Sequence, residues 1–398
     1  MKTTHICIIG AGTASAISLL SVADQLDTLG LTDQYHVTVV HDPNIPTAQV
    51  GESTSGMVYD LSRKVLGEDF AENLEQYDGT LRYYTRYNWA PATGKDFSVY
   101  YHSPGVHLNS ATWSDRIFKL LETRPWLNLI EAQVTEVDSN GTVRTPDFDC
   151  KFDWVIDCRG TPSAQELATP AYNTDVFETV NSVILYPHFH EYNESNTSAY
   201  IHDNGWMFGV PLSHRKAFGY LYNNKITTTQ QAKKDFARIK QIDTETLRSF
   251  SWQPYMKTKA LDGRVLSTGN RLYLLEPQQA IPLHYYLLLV DRFLKGIINE
   301  ISPQEIADKI NGFHIMMLDN IQNLMALNYC GPNKLESEFW TELSKKSRQR
   351  LTTNKNWQDW MAEVEEKGIL GYAPIDSSMM RTYLKGFNID LSSLKAKY

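Results

Sequence analysis

Cysteine is scarce in this 398-residue chain, and its spacing forms no framework. Cys7, Cys150, Cys158 and Cys330 include no Cys-x-x-Cys pair, which leaves no zinc ribbon or dithiol redox motif. Two of them lie in apolar runs that read as strands, where they serve as small buried hydrophobes in a reducing compartment. No run of 18 apolar residues occurs, so no membrane-spanning helix is expected. No basic block occurs either: 38 Lys and Arg against 46 Asp and Glu give a net charge of −8. That balance argues against nucleic acid or an anionic membrane as the main partner. Gly-x-Ser-x-Gly and the Gly-Lys-Ser/Thr phosphate loop are both missing, as are repeats and Gly/Ser linkers. The amino terminus has no apolar segment followed by a cleavage site, so a cytoplasmic location is expected.

What is present is an apolar fraction of 42%, enough to bury a large core, and a length that suggests two or three domains or one large α/β body. Residues 5–9 form an isoleucine-rich run that stops at Gly10-Ala11-Gly12. A helical pattern over 14–26 and a β-branched run over 36–40 follow. Strand, helix and strand in that order open a parallel α/β sheet. Further strands are expected over 81–89, 126–137, 152–158, several within 183–222, and 264–275. Residues 51–54 read as a loop, 230–250 as helix, and the chain beyond 283 as mostly helical.

Five segments have the composition of a cofactor or pocket site. In Gly10-Ala11-Gly12-Thr13-Ala14-Ser15 the glycines permit a tight turn and close backbone approach to a pyrophosphate, with the positive end of the following helix behind it. Ser15 takes the place of the usual third glycine. After the second strand, Asp42 is the acid expected to bind a ribose hydroxyl. Gly51-Glu52-Ser53-Thr54 can offer backbone N–H groups to a cofactor, and reads equally well as a helix cap. Asp157-Cys158-Arg159-Gly160 ends a buried strand. Trp206 and Phe208, two apart, share one strand face and can wall an aromatic pocket. Residues 269–282 run from a strand through a polar break into a helix. His188 and His190 share a strand face, but no Cys or acid follows at ligand spacing, so no metal is expected. Asn196-Thr197-Ser198 matches a glycosylation sequon.

Taken together these segments resemble the flavin-dependent tryptophan halogenases. Gly10-Ala11-Gly12-Thr13-Ala14 is similar to that family's FAD turn, and Val50-Gly51-Glu52-Ser53-Thr54 to its Val-Gly-Glu-x-Thr loop. Ile156-Asp157-Cys158-Arg159-Gly160 resembles its Ile-Asp-Cys-x-Gly strand end. Trp206-x-Phe208-x-Val210-Pro211 resembles Trp-x-Trp-x-Ile-Pro, and Leu275-Glu276-Pro277 its Leu-Glu-Pro turn. The resemblance implies an α/β fold: a Rossmann-like FAD domain of the glutathione-reductase type, over 1–300, interleaved with a substrate module at about 71–125 and 166–254. A helical region, 301–398, would follow. It implies FAD, delivered as FADH2 by a separate flavin reductase, a halide ion, a small electron-rich aromatic substrate of the indole or tryptophan type, and a homodimer. Implied cofactor contacts are Gly10, Gly12, Thr13, Ala14, Asp42, Gly51, Glu52, Ser53, Thr54, Val134, Asn270, Pro277 and Leu283, and implied substrate contacts are Trp206 and Phe208.

The sequence departs from the family at the reacting centre. With a one-residue gap before Asn88, the family lysine aligns to Arg82, which keeps a donor and a charge but is bulkier. The family glutamate aligns to the neutral Gln279. The Ser-Thr-Gly halide turn becomes Ala280-Ile281-Pro282, and proline has no N–H to offer. Arg82 and Gln279 are therefore the catalytic candidates of a halogenase-like enzyme. The alternatives are a halide-independent flavin monooxygenase and a flavin-binding member without turnover.

Overall fold

A computed structural model of the chain describes residues 3–46, 51–67, 72–89, 96–190, 194–277, 280–331 and 335–396. The apolar runs of the sequence form a six-stranded sheet. Its order is Leu261–Asp262, Val265–Ser267, Trp154–Asp157, Thr4–Ile9, Tyr35–His41 and Leu127–Glu131. All neighbours pair in parallel except the short outer hairpin at Leu261–Asp262. A parallel sheet is covered on both faces, and this explains why its strands read as unbroken hydrophobic stretches rather than alternating ones. The first strand lies between Tyr35–His41 and Trp154–Asp157, so the chain leaves it to opposite sides and the crevice of the fold opens at its carboxyl end, at Gly10.

The helix Thr13–Leu29 follows at once and buries ten side chains, including Ser15, Ser18 and Ser21. Those serines are tolerable in a core because each hydroxyl is satisfied within the helix corner: Ser18 donates to the Ala14 carbonyl, Ser21 to Ile17, and Ser15 to Gly10. Gly30 in the left-handed region closes the helix.

A second, eight-stranded sheet runs in the order Arg248–Ser251, Ser182–Phe189, Arg215–Tyr222, Gly205–Pro211, Asn196–His202, Thr80–Asn88, Phe97–Asn109 and Gly51–Ser53. It is antiparallel apart from the parallel pairing of 196–200 with 84–88. Between Arg82 and Tyr84 the register with 97–109 slips by a bulge. Long helices, Ile281–Ile298, Pro303–Cys330 and Glu338–Thr353, pack behind, and the second of these is buried over most of its last turns. Among the described residues no helix is long and apolar enough to cross a membrane.

Three expectations shift. Residues 51–53 are an edge strand paired with 107–109 rather than a loop. The helix expected over 230–250 stops at Lys240, where Gln241 turns left-handed, and 248–251 joins the sheet edge against 182–185. The strand expected over 264–275 is broken at Gly269, whose φ of +63° starts a single 3-10 turn; an added Cβ there would sit 2.7 Å from the Ala14 side chain. This close approach brings residues 269–277 against the first turn of the Thr13–Leu29 helix.

Candidate functional site

The glycine corner after the first strand is built as its residues require. Gly10 has φ +107°, and a Cβ on it would lie 3.0 Å from the Cys158 carbonyl oxygen. Only glycine fits both demands. Its N–H donates to the Val40 carbonyl at 2.8 Å. Gly12 caps the helix without any side-chain hydrogen bond, and nothing lies within 4 Å of where its Cβ would be. A 17-residue helix thus presents uncapped N–H groups and open space at its positive end, where an anionic group would bind. Asp42 sits just past the Tyr35–His41 strand and accepts from the backbone and side chain of Asn44. Val134 is not among the residues that line the cavity described next; it packs against the small apolar cluster that holds Cys7, Ile9 and Val40.

One hydrogen bond joins this corner to the second sheet: Thr13 Oγ1 donates to Glu52 Oε2 at 2.9 Å. Burial raises the Glu52 carboxyl to about 7, against the lowering effect of that bond. Glu52 lines a cavity of about 370 Å³ between the eight-stranded sheet and residues 270–286. Of the expected site residues, Glu52, Ser53, Arg82, Trp206, Phe208, Asn270, Pro277 and Leu283 line it. Tyr87, Trp89 and Trp252 add aromatic wall. Gly10, Gly12, Thr13, Ala14 and Asp42 stand at the corner next door, Gly51 opens the strand that carries Glu52 and Ser53, and Thr54 follows it. Gln279 lies outside the described residues, whereas Ala280 and Pro282 line the cavity, with Ala280 left-handed at φ +61°.

Arg82 is almost fully enclosed. Its Nε donates to Thr197 Oγ1 at 2.9 Å, Nη1 to the Thr54 carbonyl at 2.9 Å, and Nη2 to Thr85 Oγ1 at 2.8 Å and to the Tyr101 hydroxyl. The guanidinium also lies 4.3 Å from the centre of the Tyr101 ring. Thr54 can come this near because Gly105 faces its carbonyl; a Cβ there would clash at 2.2 Å. Its hydrogen-bond partners are all neutral, and four of its five N–H groups are spent on them.

The sequence pointed to Leu275-Glu276-Pro277 only as a turn, yet Glu276 is a hub. Its Oε1 accepts from Trp206 Nε1 at 2.7 Å and from the Tyr329 hydroxyl at 2.7 Å, and its Oε2 accepts from Thr179. Trp206, predicted as a pocket wall, is therefore pinned by its indole N–H, and Phe208 stands 6.4 Å away, ring to ring. Trp89 donates to the Asn328 carbonyl and packs on Trp206 and Trp340. His107 was not singled out and Thr197 was noted only within a sequon; both are ordinary strand residues until the sheet folds over. The Asn196-Thr197-Ser198 sequon is consumed inside the sheet, with Asn196 buried and bonded to Ser198.

Residues 5–118 and 107–368 match the family model described as tryptophan halogenase. Tryptophan 7-halogenase RebH of Lentzea aerocolonigenes is 22% identical over 158 residues, 39% of this chain and 30% of that protein. Tryptophan 7-halogenase KtzQ of Kutzneria sp. (strain 744) is 21% identical over 149 residues, 37% and 28% of the two chains. The match thus spans less than a third of the length of these curated relatives. Among solved structures, Xcc4156, a flavin-dependent halogenase from Xanthomonas campestris, superposes with a TM-score of 0.82 at 16% identity, covering 98% of this chain and 90% of that one. The tryptophan halogenase from Shewanella frigidimarina NCIMB 400 superposes at 0.81 and 16%, covering 100% and 90%. At such identities the likeness is one of fold.

Proposed function

The chain belongs to the tryptophan halogenase family, a flavin-dependent family, and from that membership we propose that it is a halogenase-type enzyme acting on an electron-rich aromatic substrate of the indole type. The observation that carries the reading is the junction of an uncapped, glycine-lined helix start with an aromatic cavity through the Thr13–Glu52 hydrogen bond. The residues present suit FAD: open space at Gly12 and the free N–H groups behind it for the pyrophosphate, and Asp42 at the second strand's end for a ribose hydroxyl. Glu52, Ser53, Asn270, Pro277 and Leu283 suit the ring system. Reduced flavin, when bound, supplies with O2 the oxidising equivalent of the reaction, and a separate flavin reductase delivers it.

The chain's own residues do the rest. Trp206, Phe208 and Trp89 hold a flat ring by its faces and exclude water. Trp206 keeps its orientation through Glu276, so the wall is rigid. Arg82 places a positive charge beside the cavity, where it would stabilise negative charge developing on an oxygen. Glu52 takes up or releases a proton at its carboxyl oxygen near neutral pH.

A second reading is favoured by a specific observation. Four of the Arg82 donors are committed to protein acceptors, and Pro282 brings no N–H to the cavity. Both features suit a monooxygenase that needs no halide. The experiment is to supply the protein with FAD, a flavin reductase, NADH, O2 and a panel of indoles, with and without chloride or bromide, and to read product masses. Halogen in the product sustains the first reading. One added oxygen regardless of halide replaces it with the second. Bound flavin with no product from any substrate overturns both in favour of a flavin-binding protein without turnover.

A further inference from the structure

Four strands of the second sheet bring four hydroxyl or imidazole groups into one chain of hydrogen bonds beside the cavity. His107, fully buried, faces Thr80 Oγ1 through Nδ1 at 3.0 Å and Thr197 Oγ1 through Nε2 at 2.9 Å. Thr197 Oγ1 lies 3.0 Å from Ser53 Oγ. The direction of every proton in this chain follows from its two ends. Thr80 donates to the Pro211 carbonyl at 2.8 Å, and a hydroxyl has one proton to give. His107 Nδ1 must therefore carry the hydrogen of the Thr80 contact. Burial, with Arg82 and Lys216 nearby, holds the imidazole well below its ordinary range, so the ring is neutral and Nε2 is an acceptor. Thr197 fills it. The Thr197 oxygen meanwhile accepts from Arg82 Nε at 2.9 Å and has one acceptor position left, which takes the Ser53 proton.

Ser53 lines the cavity, as does Thr197, and its only proton is spent on the Thr197 oxygen. We propose that His107 is a positioning residue: by fixing this polarity it leaves Ser53 as an acceptor toward the cavity, and so favours the reduced isoalloxazine, whose ring carries additional N–H donors, over the oxidised one. The proposal rests on the flavin reading above and adds to it which redox form the site selects and by which residues.

The test is equilibrium titration of the full chain with oxidised FAD in air and with reduced FAD under anaerobic conditions, read by flavin absorbance and fluorescence. The wild-type protein should bind the reduced form about tenfold more tightly, the worth of one good hydrogen bond. For a two-electron couple this ratio raises the potential of the bound flavin by about 30 mV. Ser53→Ala should lose that preference through weaker binding of the reduced form alone. His107→Phe removes the acceptor for Thr197, whose proton then turns to Ser53 and frees the Ser53 proton for the cavity. In this variant the oxidised form should bind more tightly and the reduced form more weakly. His107→Gln, which can donate to Thr80 and accept from Thr197, should restore the wild-type ratio. A merely structural role for His107 would weaken both forms together. An unchanged ratio in Ser53→Ala overturns the inference and leaves the flavin reading standing, including where His107→Phe does not fold. Failure to bind flavin in either form overturns both.

Discussion

Replacing Glu52 with glutamine separates the charge of this carboxyl from its shape. The amide is nearly isosteric and still accepts from the Thr13 hydroxyl, which lies 2.9 Å from Oε2. Burial raises the carboxyl from its ordinary 4.5 to about 7. A folded state that holds its proton more tightly than the unfolded chain loses stability as the pH climbs between those two values. Below 4.5 both states are protonated and nothing is lost, and above 7 the loss is complete. At about 1.4 kcal/mol per pH unit the ceiling is about 3 kcal/mol. Glu52 borders the cavity and is partly reached by solvent, which reduces this to about 1–2 kcal/mol. Relative to Glu52→Gln, the wild-type protein should therefore lose that much between pH 5 and pH 8, or about 1–2 °C in Tm for a chain of this size. Urea and thermal unfolding of both proteins at the two pH values measure it. If the two proteins respond identically to pH, the carboxyl titrates in the ordinary range, and the account of Glu52 as a proton-holding group is wrong.

Gly10→Ala should cost about 1–3 kcal/mol in urea unfolding, because φ is +107° and the new methyl meets the Cys158 carbonyl at 3.0 Å; Gly10→Val should in addition weaken FAD binding, and unchanged affinity would count against the nucleotide corner. Arg82→Met should abolish turnover and lower stability by about 3 kcal/mol, since it strips partners from Thr54, Thr85, Tyr101 and Thr197; full turnover with bound flavin would remove Arg82 from the chemistry. Glu276→Leu should destabilise by about 2–4 kcal/mol, because Tyr329 and Thr179 lose their acceptor and Trp206 keeps only its longer contact to the Tyr329 hydroxyl. Glu276→Gln should cost much less because the Thr179 hydroxyl can turn to accept, and equal losses for the two variants would contradict the hub.

The glycine corner was legible because its signals are local: a doubly buried strand, a glycine at a backbone angle other residues avoid, and a helix directly after it. The pocket walls were legible for a similar reason, since Trp206 and Phe208 stand two apart on one strand and so share a face. His107, Thr197 and the grip on Arg82 were not legible. Their meeting depends on pairing strands more than a hundred residues apart, such as 196–200 with 84–88, and threonines on strands carry no mark of such a role. Glu276 was visible as part of a turn, but its three donors come from residues 179, 206 and 329, which no spacing in the sequence brings together. The helix end at Lys240 was missed because polar residues continue the pattern past it; only the left-handed Gln241 stops it.

The bulge beside Arg82 gives its strand two phases. Up to that point Thr80 and Arg82, the even positions, look inward; beyond it Thr85, Tyr87 and Trp89, the odd ones, do. Tyr83, where the phase changes, is itself largely solvent-facing. The segment is thus indifferent to the letter written at position 83 but not to the number of letters. Removing one residue there would evert either the arginine or the aromatic run that follows, and no point substitution could put both back. It is in this stretch, ahead of Asn88, that aligning Arg82 with a lysine demanded a gap.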